Sequence, residues 1–306
     1  VGKEGARVSS ASYTQLSREE LWERVRRAQK HLESCRLCPR ECAVDRRQSR
    51  GFCRAGASAV VSSFGPHFGE ERVLVGTGGS GTIFFAHCNL RCVFCQNYQL
   101  SQGGEGTSVT AEQLAVLMLT IQDRYRCPNI NLVTPTHFVP QILEAVALAV
   151  ERGLRIPLVY NCGGYESVEV LRLLAGVVDI YMPDLKYSSG ELSRSYSQAP
   201  DYFEKAALAL REMDRQVGGL KVGEDGTAKR GLLIRHLVLP GALEDTKRVL
   251  EFIQGELPPD CLVNLMDQYY PSYRAFEYPE LSRRVSRREF REAWEYAESL
   301  GLRLAR

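Results

Sequence analysis

The stretch that decides the fold is "TIFFAHCNLRCVFCQN", Thr82–Asn97. Its first six residues are mostly β-branched and aromatic, which favours a buried strand. Its remaining ten carry three cysteines, Cys88, Cys92 and Cys95, spaced C-x3-C-x2-C. Thiolates are soft ligands that suit zinc or an iron–sulfur cluster. Tight metal sites usually want four ligands, and this loop offers three. A buried strand therefore runs straight into a thiolate loop with one ligand place to fill.

Working outward, the pattern alternates. "TAEQLAVLMLTIQDRY" (Thr110–Tyr125) reads as a helix opened by a capping box of Thr110 and Gln113. "NINLVTPT" (Asn129–Thr136) is a strand and "VPQILEAVALAVERG" (Val139–Gly153) a helix that stops at glycine. "IPLVYNC" (Ile156–Cys162) and "VDIYMPDLK" (Val178–Lys186) are strands, each followed by a helical pattern, "SVEVLRLLAG" and "DYFEKAALALREMDRQVG". "GLLIRHLVLPG" (Gly231–Gly241) is a strand before the helix "EDTKRVLEFIQG", and "CLVNLMDQYY" (Cys261–Tyr270) is a sixth strand. Near-continuous apolar strands alternating with helices indicate a parallel sheet. Six units fall short of the eight that close a full barrel. The expected fold is α/β: a partial (β/α)6 TIM-like barrel with an N-terminal Cys-rich helical extension and a C-terminal helix at about Ser286–Ser299. The corresponding division is 1–60 for the extension, 61–275 for the barrel and 276–306 for the C-terminal segment.

Several strands end on polar residues: Thr134 and Thr136, Asn161, Asp184 and Lys186, Arg235 and His236, Asp267 and Gln268. In parallel α/β barrels the chemistry sits at the C-terminal strand ends. The cysteine triplet follows the first strand on that same rim, so the two sets are expected to converge.

Bulk properties narrow the class. The chain has 306 residues and net charge +2, with nothing that argues for a nucleic-acid or membrane surface. The Arg-rich runs Arg24–Lys30 and Arg283–Arg291 lie on helical patterns and read as solvated faces. No apolar run approaches membrane-span length and no signal-peptide core is visible, so a cytoplasmic protein is expected. In a reducing compartment clustered cysteines point to metal rather than disulfides. Seven of the ten cysteines fall in two clusters. The second cluster is the triplet. The first, Cys35, Cys38, Cys42 and Cys53, follows a helix that starts at Ser17 with Glu20 completing a capping box and Leu21, Val25, Ala28 and Leu32 as its apolar stripe. Four thiolates match a structural zinc or a second iron–sulfur cluster, and spacing does not separate the two. Residues 1–15 read as loosely ordered, and Ser62–Gly81 as a Gly- and Ser-containing stretch ahead of the first strand. "GTGGSG" (Gly76–Gly81) matches G-x-G-x-x-G, but a strand follows it where a dinucleotide fold needs a helix, so that reading is rejected. Cys127 and Cys261 read as buried thiols, and Cys162 as a small rim residue.

The run "GSGTIFFAHCNLRCVFCQN" resembles the radical S-adenosylmethionine (SAM) superfamily, and within it the branch related to pyruvate formate-lyase activating enzyme. "NLVTPTHFVPQI", "YNCGGYE", "YMPDLKY", "IRHLVLPG" and "LVNLMDQYYP" resemble that branch too, so the likeness covers about residues 30–275. The resemblance implies a [4Fe–4S] cluster on Cys88, Cys92 and Cys95, whose fourth iron is chelated by S-adenosylmethionine. It implies reductive cleavage of S-adenosylmethionine to a 5′-deoxyadenosyl radical that abstracts hydrogen. It further implies that Phe94 packs by the adenine and that Asn97 is among the cofactor contacts. Thr134, Thr136 and His137 stand where the family carries a Gly-Gly-Glu-type segment for the methionyl amino group; this sequence lacks those glycines and that Glu. Asp184 and Lys186 resemble a segment that reaches the methionyl carboxylate, and Asn161, Arg235 and His236 complete the expected cofactor contacts. "PHFGEE" (Pro66–Glu71) resembles a segment at the substrate mouth, though by its residues it is a plain loop.

The first functional expectation is therefore a radical SAM oxidoreductase, activating-enzyme-like, acting on a protein or peptide. Its partners would be a reductant such as flavodoxin or ferredoxin and that substrate, with no nucleic acid or membrane. The alternatives are a radical SAM enzyme acting on a small molecule or on a peptide by another reaction, and a non-catalytic iron–sulfur or zinc protein. Six strand ends lined with Thr, Asn, Asp, Lys, Arg, His and Gln disfavour the last.

Overall fold

The structure, a computed structural model, describes residues 11–305. Its sheet contains β1 (Ala59–His67), β2 (Ser80–Phe85), β3 (Thr107–Val109), β4 (Ile130–Val133), β5 (Leu158–Cys162), β6 (Ile180–Pro183), β7 (Lys221–Val222), β8 (Ala228–Leu237), β9 (Leu262–Met266) and β10 (Arg303–Leu304). The order across it is β10-β9-β8-β6-β5-β4-β2-β1-β3, with β7 paired to β8. Each of the six expected strands is present, and β2, β4, β5, β6, β8 and β9 are neighbours in one parallel run. The path is open between β10 and β3, so this is a partial barrel.

Helices α4 (Ala111–Leu119), α5 (Val139–Val150), α6 (Val168–Leu173), α8 (Tyr202–Val217) and α9 (Leu243–Glu256) connect the parallel strands. Parallel strands need such crossovers, because a tight turn cannot carry the chain back to the starting edge. Strand alternation then divides the apolar residues. Tyr160, Tyr181 and Ile234 face the main core under the helices. Their neighbours Val159, Ile180, Met182 and Leu233 form a separate buried cluster inside the barrel.

Three expectations for the start of the chain change. The Gly- and Ser-containing stretch Ser62–Gly81, in which no strand was expected, begins as part of β1, which pairs antiparallel with β2 from Val61↔Phe85 to His67↔Ser80. Pro66 obscured this strand. It is tolerated because β3 covers only Ala59–Val61, leaving the Pro66 edge without a neighbour. Next, the segment after β1 carries the short helix α2 (Arg72–Val75), whose Leu74 is fully buried in the barrel-interior cluster with Val159, Ile180, Met182 and Leu233. It plugs the barrel from within, which is why the interior needs no further strand to fill it. Lastly, residues 11–15 are ordered. The Tyr13 hydroxyl donates to Ile156 O at 2.6 Å, and the Ser12 N–H donates to Asp179 Oδ1 at 2.7 Å. These bonds tie the chain to the entry ends of β5 and β6. Residues 1–10 lie outside the described residues.

The extension begins with α1 (Arg18–Gln29). Ser17 Oγ accepts from Glu20 N–H at 3.2 Å while Glu20 Oε2 accepts from Ser17 N–H at 2.7 Å, the reciprocal capping read from sequence. Leu21, Val25 and Ala28 are buried toward α5, whereas Leu32 is only half-buried. At the other end α10 (Arg287–Ser299), again opened by a capping box of Ser286 and Glu289, packs on α9. The expected helix Thr110–Tyr125 ends its α-helical part at Leu119 and continues as a π-turn, Thr120–Arg124.

Candidate active site

The loop after β2 carries Cys88, Cys92, Phe94 and Cys95 into a cavity of about 300 Å³ at the C-terminal strand ends. Across it stand Thr134 after β4, Asn161 on β5, Asp184 and Lys186 after β6, and Arg235 on β8; Asn97 lines the same space. A cavity of that size is in the range of small-molecule sites.

Each of the three sulfurs is hydrogen-bonded. Leu90 N–H donates to Cys88 Sγ at 3.4 Å. Ser197 Oγ donates to Cys92 Sγ at 3.0 Å, and Ser101 Oγ lies 3.1 Å from Cys95 Sγ. Ser101 closes the short helix α3 (Tyr98–Ser101), and Ser197 closes α7 (Gly190–Ser197). Neither serine has a sequence signal, because each is brought to its sulfur by a helix that sequence reading did not anticipate. Cys162 also lines the cavity, but its thiol interacts with the Glu166 carboxyl.

The wall opposite the triplet is an ion network. Asp184 Oδ1 accepts from Arg235 Nε at 2.8 Å, and Asp184 Oδ2 accepts from Lys186 Nζ at 2.5 Å. Arg235 Nη2 donates to Asn161 Oδ1 at 2.7 Å. Burial alone would raise the Asp184 carboxyl, but Arg235 and Lys186 hold it below the ordinary range. Burial opposes charge on Lys186 and Arg235 too, and Asp184 more than restores it in both, so both stay cationic. Lys186 carries three donors and spends one on Asp184. Its side chain lines the cavity, so the others are available to a ligand there. Beneath Arg235, Glu70 and Glu71 each come to 3.9 Å of Nη1, and burial pushes Glu70 up to about 7. The "PHFGEE" segment thus reaches the floor of the site rather than its mouth, because α2 plugs the barrel from below.

Phe94 lines the cavity and packs edge-on against Tyr187, Tyr196 and Tyr269, with ring centroids 6.3, 6.2 and 6.0 Å away. Three residues expected as cofactor contacts lie elsewhere. Thr136 is buried and donates to Glu166 Oε1 at 2.7 Å. His137 is buried with Nε2 2.8 Å from Ala86 O, and it lines the cavity of the N-terminal cysteines. His236 is bonded to Leu185 O at 2.6 Å and Thr246 Oγ1 at 3.0 Å. The reasons are local. Thr134 has a left-handed φ of 60°, which turns the chain so that Thr134 faces the cavity and the residues after it do not. His236 follows the inward Arg235 on a strand and so points to the helix side. Glu166, which carries no signal of its own within "YNCGGYE", is fully buried between Thr136 and Tyr160, and burial pushes its carboxyl up to about 7.

The N-terminal cysteines also converge. Cys35, Cys38, Cys42 and Cys53 line one enclosed cavity with Arg46 and His137. The isolated Cys127 and Cys261 are buried thiols, as their setting in the sequence implied.

Residues 82–224, from β2 through the start of the β7–β8 hairpin, match the model of the radical SAM superfamily, so the chain carries a radical SAM superfamily domain. Its relatives include the uncharacterized protein MJ0674 of Methanocaldococcus jannaschii, 33% identical over 92% of this chain and 79% of that protein. The uncharacterized protein MJ0808 of the same organism is 23% identical over 80% of this chain and 73% of its own. Among solved structures, a radical SAM methyltransferase from Sphaerobacter thermophilus superposes with a TM-score of 0.51 at 17% identity. That match covers 73% of this chain and 65% of the methyltransferase, and it shows a shared fold. Members of the superfamily are enzymes that use a [4Fe–4S] cluster and S-adenosylmethionine and need an electron donor, and those are the cofactors of this protein. The site fits them: three hydrogen-bonded thiols share one cavity with two cationic side chains, and the fourth cysteine in reach is engaged by Glu166. Among the described residues no helix is long and apolar enough to cross a membrane.

Proposed function

We propose that Cys88, Cys92 and Cys95 hold the [4Fe–4S] cluster and that the protein abstracts hydrogen from a protein or peptide, in the manner of a glycyl-radical activating enzyme. The observation that carries this reading is the single cavity that places three thiols opposite Lys186 and Arg235 at the strand ends. When bound, the cluster supplies the electron that cleaves S-adenosylmethionine into methionine and a 5′-deoxyadenosyl radical.

The chain's own residues orient the cofactor. Lys186 offers its remaining N–H donors to the methionyl carboxylate as a point charge. Arg235, already committed to Asp184 and Asn161, fixes the position of Asp184 and through it the Lys186 ammonium. Thr134 and Asn161 present polar groups to the same wall, and Phe94 supplies an apolar surface for the adenine. Ser101, Ser197 and the Leu90 amide stabilise the three thiolates by donating to sulfur.

The rim supports a peptide-sized substrate. Tyr98 and Tyr273 stack at 5.2 Å beside the cysteine loop, each about one-third exposed, and Tyr270 and Phe276 are exposed nearby in sequence. Gln96 Nε2 donates to Gln268 O at 3.1 Å, and Arg274 N–H donates to Val93 O at 2.9 Å, so this aromatic segment is tied to the loop itself. Exposed aromatic anchors are typical of protein recognition surfaces. A flavodoxin or ferredoxin in the cytoplasm is the donor this reading calls for.

The test is anaerobic reconstitution with iron and sulfide, reduction, addition of S-adenosylmethionine and chromatographic detection of 5′-deoxyadenosine. The wild type should form it and Cys88→Ala should not. Equal product from both would refute the assignment of the cluster.

A further inference from the structure

We infer that the enclosed cavity of Cys35, Cys38, Cys42 and Cys53 binds a second, fully ligated [4Fe–4S] cluster, not a structural zinc.

The four thiols were brought together by folding, since ten residues separate Cys42 from Cys53. Their loops are bent to fit. Glu41, Ala43 and Arg54 have left-handed φ angles of 41°, 54° and 65°, costly for residues with a Cβ and each beside a cysteine. Backbone amides turn onto sulfur as a result: Phe52 N–H donates to Cys42 Sγ at 3.4 Å, and the amides of Arg40 and Ala55 hydrogen-bond Cys38 and Cys53. Gly51 makes room, because a Cβ there would sit 2.8 Å from Cys42 Sγ.

Arg46 is the independent sign of an anionic occupant. It is 2% exposed and lines the cavity. Its guanidinium donates to His137 O and Gly56 O, yet its Nε has no partner. A buried guanidinium N–H without an acceptor is costly. Arg40 also lines the cavity, stacked 3.8 Å over Phe52. Two guanidiniums suit a cluster whose four thiolates and inorganic sulfides leave it negatively charged.

Geometry separates the two metals. A zinc holds its sulfurs about 2.3 Å from one point, so the thiols must converge tightly. Among the described residues no three His, Cys, Asp or Glu side chains converge on a single-ion position. That holds for the four N-terminal cysteines as it does for Cys88, Cys92 and Cys95. A cubane has a corner iron for each thiolate and spreads them more widely. Four thiolates leave no corner open, so this cluster carries an electron and does not chelate S-adenosylmethionine.

The experiment uses the triple variant Cys88→Ala/Cys92→Ala/Cys95→Ala, reconstituted anaerobically in the presence of both iron with sulfide and zinc. The expected result is about four irons and about four sulfides per chain. The reduced paramagnetic spectrum should not change when S-adenosylmethionine is added. About one zinc without iron, no metal in the folded variant, or a spectrum altered by S-adenosylmethionine would each overturn the inference. Should the triple variant not fold, the double variant Cys38→Ser/Cys42→Ser gives the complementary count. Iron should fall from about eight to about four per chain, and the response of the remaining cluster to S-adenosylmethionine should persist. Unchanged iron would overturn the inference. Each variant removes one set of thiols, so this assignment and that of Cys88, Cys92 and Cys95 fail separately.

Discussion

Lys186→Met tests the cofactor wall most directly. The ammonium is 2.5 Å from Asp184 Oδ2 and lines the cavity that holds the cysteine triplet. Methionine keeps most of the length and apolar volume of the stem and deletes the charge. Asp184 does not become an unpaired buried carboxylate, because Arg235 Nε stays 2.8 Å from its other oxygen. The lost contact is one charge-assisted hydrogen bond to the methionyl carboxylate, worth about 1.5–3 kcal/mol. At about 1.4 kcal/mol per tenfold, the affinity for S-adenosylmethionine should fall about 10- to 150-fold. Iron content should stay close to wild type, since the substitution leaves the Ser197 and Ser101 contacts of the Cys92 and Cys95 sulfurs in place. The assay is calorimetric titration of the reconstituted, unreduced enzyme with S-adenosylmethionine, with iron measured on the same samples. An affinity within about twofold of wild type would show that Lys186 serves only its ion pair, and the proposed carboxylate contact would be wrong.

Three further outcomes follow from the same geometry. Asp184→Ala leaves Lys186 and Arg235 facing each other without their shared carboxylate. It should cost about 3–5 kcal/mol by denaturant unfolding, and Asp184→Asn distinctly less, since the amide still accepts. Leu74→Ala should cost about 2–5 kcal/mol, because it empties the plug inside the barrel; a loss below about 0.5 kcal/mol would mean the segment is not packed there. Glu166 has its folded-state carboxyl raised to about 7 by burial, so the folded state holds the proton more tightly. Its stabilising contribution is full below the unfolded carboxylate range, near pH 4, and is lost as pH rises toward 7, by an upper limit of about 3 kcal/mol. Thermal melts at pH 5 and pH 8 should show a larger drop for wild type than for Glu166→Gln, and parallel drops would contradict the shift.

The six parallel strands and the cysteine loop were legible because each is written in consecutive residues. Apolar β-branched runs alternate with capped amphipathic helices, and Cys88, Cys92 and Cys95 sit within eight residues. The strand β1 was not legible, since Gly65 and Pro66 mask a strand whose pairing partner lies across a plug.

By itself, then, the sequence determined the class of fold, the rim on which polar strand ends gather and the thiolate set that names the superfamily, all of them local patterns. Only the tertiary structure decided which rim residues face the cavity. Alternation sends Arg235 in and His236 out, and the left-handed Thr134 turns Thr136 and His137 away. It also supplied partners that no spacing encodes: Ser101 and Ser197 on the sulfurs, Glu166 behind the wall, and Arg46 beside the four N-terminal thiols. Those contacts join residues far apart in the chain, and packing alone fixes where such residues meet.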